Sequence, residues 1–143
     1  LTSFAEDARA LAEDRGIQFL LLTNPPGKVR VETSLLRQLL LNLVSNAINV
    51  SAPGSTIALT SALSDQRWTL LLVDEGPGLP AMELSHVFER FVRYNHSRTG
   101  QNKGGQGLGL AICRSIVRLH TGTIRAENRT DRSGLRIIVD LPR

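Results

Sequence analysis

Four glycines stand within six positions of this sequence and lead directly into an apolar segment with helical spacing. The glycines at positions 104, 105, 107 and 109 permit close backbone approach and positive φ angles. A helix starting here would present unpaired N–H groups and the positive end of its dipole to an anion. The stretch therefore predicts a phosphate-binding loop, although a flexible loop before a core helix fits the glycines about as well.

Basic residues without acidic neighbours surround these glycines. Residues 90–126 contain no Asp or Glu, but they contain Arg90, Arg93, Arg98, Lys103, Arg114, Arg118 and Arg125. The 143-residue chain has a formal net charge of +4, which favours a polyanionic ligand, a nucleic acid or an anionic membrane as partner. Because the chain has only one Trp, one Tyr and four Phe, we expect the ligand rather than nucleic acid.

Three asparagines recur at helical spacing in the apolar segment 33–50. Asn42, Asn46 and Asn49 fall at i, i+4 and i+7, so they share one face of the predicted helix. Asn is a poor residue for a helix interior, so its repetition needs a reason. One explanation is a polar stripe that faces solvent. The other is a set of amide oxygens that ligate a hard cation, such as the Mg²⁺ that accompanies nucleotide phosphates.

An acidic residue follows the β-rich run 67–73. Asp74 precedes glycines at positions 76 and 78, which places a carboxylate acceptor in a pocket whose wall is bare backbone. Such a carboxylate accepts a hydrogen bond from an exocyclic amine like that of adenine. A Gly-Pro turn with a solvated Asp is the alternative interpretation.

The periodicity of the rest of the chain predicts a mixed α/β framework. Helical spacing indicates helices over residues 2–15, 33–50 and 108–119, with single turns at 80–84 and 86–91. Strands are predicted over residues 17–22, 29–31, 56–63, 67–73, 123–128 and 135–141. Thr33 or Ser34 is expected to cap the second helix. The polar, glycine-containing stretch 92–106 is predicted to form a lid.

Neither cysteine nor histidine chemistry is predicted. Cys113 is the only cysteine, which excludes an internal disulfide, and its apolar neighbours indicate a buried helix position. We interpret His86, His96 and His120 as non-catalytic, since none has both a carboxylate partner in sequence and a phosphorylation context. No signal peptide or membrane-spanning run is found. The chain begins inside an amphipathic pattern at Leu1, so we expect a domain from a longer protein.

Four motifs together resemble the catalytic and ATP-binding domain of bacterial sensor histidine kinases. NLVSNA at residues 42–47 resembles the N box, and DEGPG at residues 74–78 resembles the first glycine box. FERF at residues 88–91 resembles the F box, and GQGLGL at residues 105–110 the second glycine box. The chain departs from the family at Asn49 and Val50, where Lys or Arg and an aromatic are frequent, and SGL at residues 133–135 matches the last glycine box poorly.

The resemblance implies a Bergerat-type ATP-binding fold, shared with gyrase B, MutL and the large heat-shock chaperones. This is a two-layer α/β sandwich in which a mixed sheet of about five strands packs on three helices. By analogy, Asp74 takes the adenine amine, Gly76 and Gly78 pass close to the base, and Asn46 ligates Mg²⁺ with Asn42 beside it. Other ATP contacts are implied for Asn49, Phe88, Arg93, Arg98, Lys103, Gly105, Gly107, Leu108 and Gly109.

The resemblance also implies a function. Residues 16–143 would bind ATP and donate its γ-phosphoryl group to a histidine on a separate helical domain, and residues 1–15 would be the end of that helical region or a linker. The parent would be a homodimer anchored in the bacterial inner membrane, with this domain in the cytoplasm and a response regulator as partner. Asn42 stands where ATPase relatives carry a Glu that activates water, and an amide cannot take up a proton near neutral pH.

Two alternatives stay open at this point. One is a serine or threonine kinase of the same fold, as in anti-sigma factors. The other is a non-enzymatic module that senses nucleotide.

Overall fold

A computed structural model of the protein describes residues 1–89 and 105–143. The helices are α1 (Thr2–Glu13), α2 (Thr33–Val50), α3 (Ala81–Leu84) and α4 (Gly105–Leu119). The strands are β1 (Gln18–Thr23), β2 (Thr56–Leu63), β3 (Arg67–Val73), β4 (Thr123–Asn128) and β5 (Leu135–Pro142). Most of the elements predicted from the sequence are therefore confirmed, with ends shifted by one to three residues.

The five strands form one mixed sheet in the order β1-β2-β3-β5-β4. β1 and β2 run parallel because α2 connects them as a crossover, and the other neighbours are antiparallel. Side chains alternate across the pleat, so that Trp68, Leu70 and Leu72 of β3 are buried while the residues between them are partly exposed.

Three helices pack on the sheet and enclose the core. α1 contacts β1, α2 contacts β3, α4 contacts β4, and α2 and α4 lie side by side. The rings of Phe4 in α1 and Phe19 in β1 meet edge to face, with their centroids 6.5 Å apart. The predicted two-layer α/β sandwich of five strands on three helices is confirmed, and the four-residue α3 lies within the helical turn predicted over residues 80–84.

Three local predictions were wrong. Glu32, not Thr33 or Ser34, caps α2: its longer side chain accepts hydrogen bonds from the backbone N–H groups of Ser34 and Leu35. Residues 29–31 form no strand and pair with none of the five strands; Arg143 Nε donates to the carbonyl of Lys28, just before them. α4 begins at Gly105, three residues earlier than predicted, so Gly105 and Gln106 belong to the helix instead of the lid.

The remainder of the predicted lid, residues 92–104, lies outside the described residues. Within the described part of the chain, no helix has the length and apolar character needed to cross a membrane.

Candidate nucleotide-binding site

Asp74 is a buried carboxylate that is held by only one of its two oxygens. It follows the last residue of β3 and is 5% exposed. Its Oδ1 accepts hydrogen bonds from the backbone N–H of Gly76 at 2.9 Å and of Leu135 at 3.1 Å. Its Oδ2 has no hydrogen-bond partner among the described residues. One oxygen therefore fixes the orientation of the carboxylate, and the other can accept a bond from a ligand.

Burial raises the pKa of the Asp74 carboxyl group, because the charged form has lost its water. The two backbone N–H bonds and the nearby Arg129 guanidinium act in the opposite direction, since they stabilise the carboxylate. An acceptor in such surroundings gains more from an incoming donor than a solvated one, because no bulk water competes for it.

The turn between β4 and β5 forms the back wall of this site. Arg129 Nη1 donates to the Asp74 carbonyl at 3.1 Å, and Ser133 Oγ donates to the Gly76 carbonyl at 2.6 Å. The charge of Arg129 is neutralised by Asp131, and that bond lowers the pKa of Asp131 to about 2. The turn thus holds the 74–76 backbone from behind.

Glu75 fastens the same loop to two other elements. Its Oε1 accepts from the Thr56 N–H at the start of β2, and its Oε2 accepts from Arg132 Nη1, both at 2.9 Å. The loop that carries Asp74 is therefore tied to β2 and to the β4–β5 turn without any ligand.

Two glycines are required here by close contacts within the protein. A Cβ on Gly134, which has φ +146°, would lie 2.1 Å from the Asp74 carbonyl oxygen. A Cβ on Gly78, which has φ +73°, would lie 2.5 Å from Oδ1 of Asn128. That amide pairs with the backbone of Leu79 through two hydrogen bonds. In this structure, Gly78 leaves the space that the Asn128 side chain needs. Contacts of Gly78 and Gly76 with a base stay predictions.

Sequence analysis missed the residues of this back wall. Arg129, Ser133 and Leu135 lie 55 to 61 positions after the residues they hold, so no local pattern links them to Asp74. Gly134 was seen only as part of a poor match to a glycine box. The available signal was a glycine in a turn between two predicted strands, which does not identify its neighbour.

The amide-bearing face of α2 lies beside the start of α4. Asn42 and Asn46 are half-buried, and Asn49 is exposed, where its Oδ1 accepts a long bond of 3.4 Å from Arg15. A Cβ on Gly109 would lie 4.0 Å from Cγ of Asn42, so the first turns of α4 run along this face. The structure brings Asn42 close to Gly109, and it places Asn49 at the solvent-exposed end.

Asn46 has an environment that fits a ligand to a magnesium ion. Its amide makes no hydrogen bond to any described residue, and amide oxygens are hard ligands that Mg²⁺ accepts alongside phosphate and water. The described residues contain no group of three or more His, Cys, Asp or Glu side chains that could hold a metal ion. Any magnesium bound here would therefore share its coordination with the ligand.

The other predicted site residues are placed as follows. Gly105, Gly107 and Leu108 lie in the first turn of α4, whose leading N–H groups have no partner inside the helix. Phe88 is buried in the hydrophobic core, and its contact with ATP stays a prediction. Arg93, Arg98 and Lys103 lie outside the described residues.

Cys113 is fully buried, as predicted. Its thiol lies against the Leu39 carbonyl, and burial raises its pKa to about 12, while a hydrogen bond with Asn42 acts the other way. The thiol therefore stays protonated and unreactive at neutral pH.

The two described histidines contact carboxylate or backbone groups away from this site. His86 Nδ1 lies 2.8 Å from Oε2 of Glu89 on the surface. His120 donates from Nδ1 to the Ile116 carbonyl and accepts from the Glu32 N–H at Nε2. Their interpretation as non-catalytic stays a prediction.

Comparison with protein families matches residues 31–143 to the family described as histidine kinase-, DNA gyrase B-, and HSP90-like ATPase. The chain is 35% identical over 147 residues to the sensor protein SphS of Synechococcus elongatus, a match that covers 99% of the chain and 36% of SphS. It spans about a third of the length of the curated relatives it matches.

Solved structures of histidine kinases are also similar to this chain. The mycobacterial sensor histidine kinase MprB superposes with a TM-score of 0.82 at 29% identity, covering 99% of this chain and 94% of that one. The histidine kinase ThkA in complex with the response regulator protein TrrA superposes with a TM-score of 0.75 at 27% identity, covering 99% of this chain and 40% of that one.

Proposed function

We propose a function for this chain from its membership of the histidine kinase-, DNA gyrase B- and HSP90-like ATPase family, as the catalytic ATP-binding domain of a sensor histidine kinase. In this proposal, Asp74 and Asn46 hold ATP with Mg²⁺ for transfer of its γ-phosphoryl group. The acceptor is a histidine on a separate helical domain of the same protein. The observation that carries the proposal is the buried Asp74 carboxylate, whose Oδ1 is held by two backbone N–H groups while Oδ2 is without a described partner.

Base recognition follows from that asymmetry. The exocyclic amine of adenine donates to Oδ2, and a carbonyl at the same position of the base would meet the carboxylate as a second acceptor. A hydrogen bond to a charged acceptor contributes about 1.5–3 kcal/mol. Asp74 therefore selects adenine over bases that lack the amine.

The phosphates lie where α2 meets the start of α4. The free N–H groups of the first turn of α4, those of Gly105 and Gly107 among them, face the phosphate oxygens at the positive end of the helix dipole, and Leu108 and Gly109 follow directly in the helix. Asn46 would supply an amide oxygen to Mg²⁺, and the ion would neutralise part of the phosphate charge. Arg93, Arg98 and Lys103 add positive charge from the segment before α4, and Asn49 lies at the outer end of the same face.

Asn42 preserves the γ-phosphoryl group for the histidine. Its amide lies beside Gly109 but has no basic lone pair with which to deprotonate water. In the transfer, an imidazole nitrogen of the acceptor forms a bond to the γ-phosphorus as the bond to the β–γ bridging oxygen breaks, and ADP leaves with that electron pair. Phosphoryl transfer depends mainly on positioning and charge stabilisation, and the contribution of this chain's residues is to position the nucleotide.

We place this domain in a two-component signalling protein. Relatives named as sensor proteins and sensor histidine kinases favour this role over an anti-sigma kinase or a nucleotide sensor. ThkA forms a complex with the response regulator TrrA, which supports a response regulator as partner here. Residues 1–15 link the domain to the helices that carry the histidine, and the parent is a homodimer in the inner membrane with this domain in the cytoplasm.

Phosphotransfer tests the proposal directly. The purified 143-residue chain and a protein that also contains the helical domain are each incubated with γ-labelled ATP. We expect acid-labile label only in the longer protein, and a loss of that label in Asp74→Asn. Robust self-labelling of the 143-residue chain, or acid-stable label on serine or threonine, would contradict the proposal.

A further inference from the structure

A second cleft lies at the end of the sheet opposite to Asp74. It has a volume of about 590 Å³ and is lined by Lys28, Val29, Arg30, His120, Thr121, Pro142 and Arg143. Pro142 pairs with Arg67 at the first residue of β3, whereas Asp74 follows the last residue of that strand. Seven residues of extended chain separate the two ends, a distance of about 20 Å. The basal cleft, as we call this set of residues, is therefore separate from the nucleotide site.

Three positive charges in the basal cleft are without acidic partners among the described residues. Lys28 and Arg30 are exposed and form no described ion pair. The Arg143 guanidinium donates to the carbonyls of Lys28 at 3.1 Å and Ser64 at 2.7 Å. These carbonyls fix the position of the guanidinium but leave its charge uncompensated, so the cleft attracts anions.

One acidic side chain near the cleft, that of Glu32, is already engaged elsewhere. Glu32 follows the segment that forms one side of the cleft, and its carboxylate accepts from the N–H groups of Ser34 and Leu35. A hydrogen bond from the Ser34 side chain lowers the pKa of Glu32 most strongly, and the two backbone bonds lower it further. Glu32 therefore caps α2 and does not neutralise Lys28 or Arg30.

Less polar groups line the rest of the cleft. Val29 and Pro142 contribute aliphatic surface. The His120 ring donates from Nδ1 to the Ile116 carbonyl at 2.9 Å and accepts from the Glu32 N–H at Nε2, at 3.1 Å. Because it both donates and accepts, the ring is neutral in this arrangement. The cleft thus combines three cations with aliphatic and uncharged polar side chains.

We propose that the basal cleft binds an acidic peptide segment of a protein partner. Carboxylates of the peptide pair with Lys28, Arg30 and Arg143, and an apolar side chain packs on Val29 and Pro142. A single-stranded nucleic acid fits less well, because no Phe, Tyr or Trp is among the residues that line the cleft, and the His120 ring is already held by two hydrogen bonds. Binding of an anionic membrane is a separate outcome that the vesicle measurement below distinguishes.

Fluorescence anisotropy with a defined probe tests this proposal. The probe is a fluorescein-labelled peptide of alternating Glu and Leu, with a Gln and Leu peptide as the uncharged control. We expect saturable binding of the acidic peptide alone, weakening as salt is added. Lys28→Glu and Arg30→Glu should each weaken binding at least about fivefold, since an attraction becomes a repulsion. Saturating ADP should leave the peptide bound.

Arg9→Glu is the matched control variant. Arg9 is exposed on α1, outside the cleft, and its reversal changes the net charge by the same amount. Thermal unfolding and ADP binding verify that every variant is folded. Equal losses in Arg9→Glu and Arg30→Glu, displacement by ADP, or no saturable binding at low salt would overturn the proposal. So would cleft-dependent binding of phosphatidylserine vesicles, tripolyphosphate or oligo-dT in place of the peptide.

Discussion

Asp74 and Asn46 belong to the same proposed site, yet the protein surrounds them in very different ways. Asp74 is buried, and its loop is bonded to β2 and to the β4–β5 turn. Asn46 is half-buried on α2, and its amide has no hydrogen bond to the described residues. In the proposed site, the base end is therefore built by the protein alone, whereas the phosphate end would be completed by the nucleotide and its metal.

This difference has an energetic reason. A base is neutral and is recognised by the direction of its hydrogen bonds, so a carboxylate fixed in advance lowers the cost of ordering on binding. A phosphate chain and its magnesium ion are charged, so they attract polar protein groups strongly. The protein groups that bind them therefore need to be unpaired, but they do not need to be fixed in advance. Disturbing the base end should thus change both stability and affinity, and disturbing the phosphate end should change affinity alone.

Gly134→Ala should have the largest effect. Its Cβ would lie 2.1 Å from the Asp74 carbonyl oxygen, so the β4–β5 turn or the 74–76 loop must move. Overpacking of this kind costs about 1–3 kcal/mol of unfolding free energy, and ADP affinity should fall with it. Ser133→Ala is the matched control: it removes one hydrogen bond to Gly76 but creates no clash, and about 1 kcal/mol is expected. Chemical unfolding of both variants would show equal losses if the close contact at Gly134 did not matter.

Asn46→Ala should remove the effect of magnesium on ADP affinity while leaving the unfolding free energy nearly unchanged. The amide oxygen is proposed as a metal ligand and makes no described bond within the protein. Calorimetric titrations with Mg²⁺ and with EDTA should then converge for the variant. Asn49→Ala is the control on the same face, where the side chain is exposed and bonded to Arg15. A variant at Asn46 that kept the full magnesium dependence would show that this face does not hold the metal.

Asp74→Asn should make the nucleotide-free protein more stable at neutral pH, a smaller effect than the two above. Burial raises the pKa of Asp74 in the folded state, so the stability associated with its protonated form is present at low pH and is lost as pH rises through that raised pKa. Asn has no charge to bury, and its Oδ1 keeps both backbone donors. Urea unfolding across pH 4–8 should show the stability gain growing with pH. A variant less stable than the wild type at pH 7 would contradict this reasoning.

The sequence predicted those parts of the site that repeat along one element. Asn42 and Asn46 share a helix face because of their spacing, and Asp74 follows a run of strand-forming residues. The start of α4 was harder to place, since glycines have low helix propensity and the prediction therefore left residues 105–107 in a loop. Packing of α4 along Asn42 overrides that propensity.

The back wall was beyond sequence reasoning for a different cause. The bonds from Arg129 and Leu135 to Asp74 join residues 55 and 61 positions apart, and they exist only because β3 and β5 are neighbours in the sheet. Alternating side chains predict that each of these strands exists, but they do not determine which strand pairs with which. The cap by Glu32 was missed because a shorter residue next to it matched the usual preference.

Calorimetry with ADP and IDP tests most directly whether Oδ2 of Asp74 accepts a hydrogen bond from the adenine amine. ADP and IDP differ at that position of the base, where IDP carries a carbonyl in place of the amine. The wild-type chain should prefer ADP by about 1.5–3 kcal/mol, and Asp74→Asn should lose or reverse the preference, because its amide can donate to the IDP carbonyl. Equal affinity of the wild type for both nucleotides, or an undiminished preference in the variant, would contradict the account.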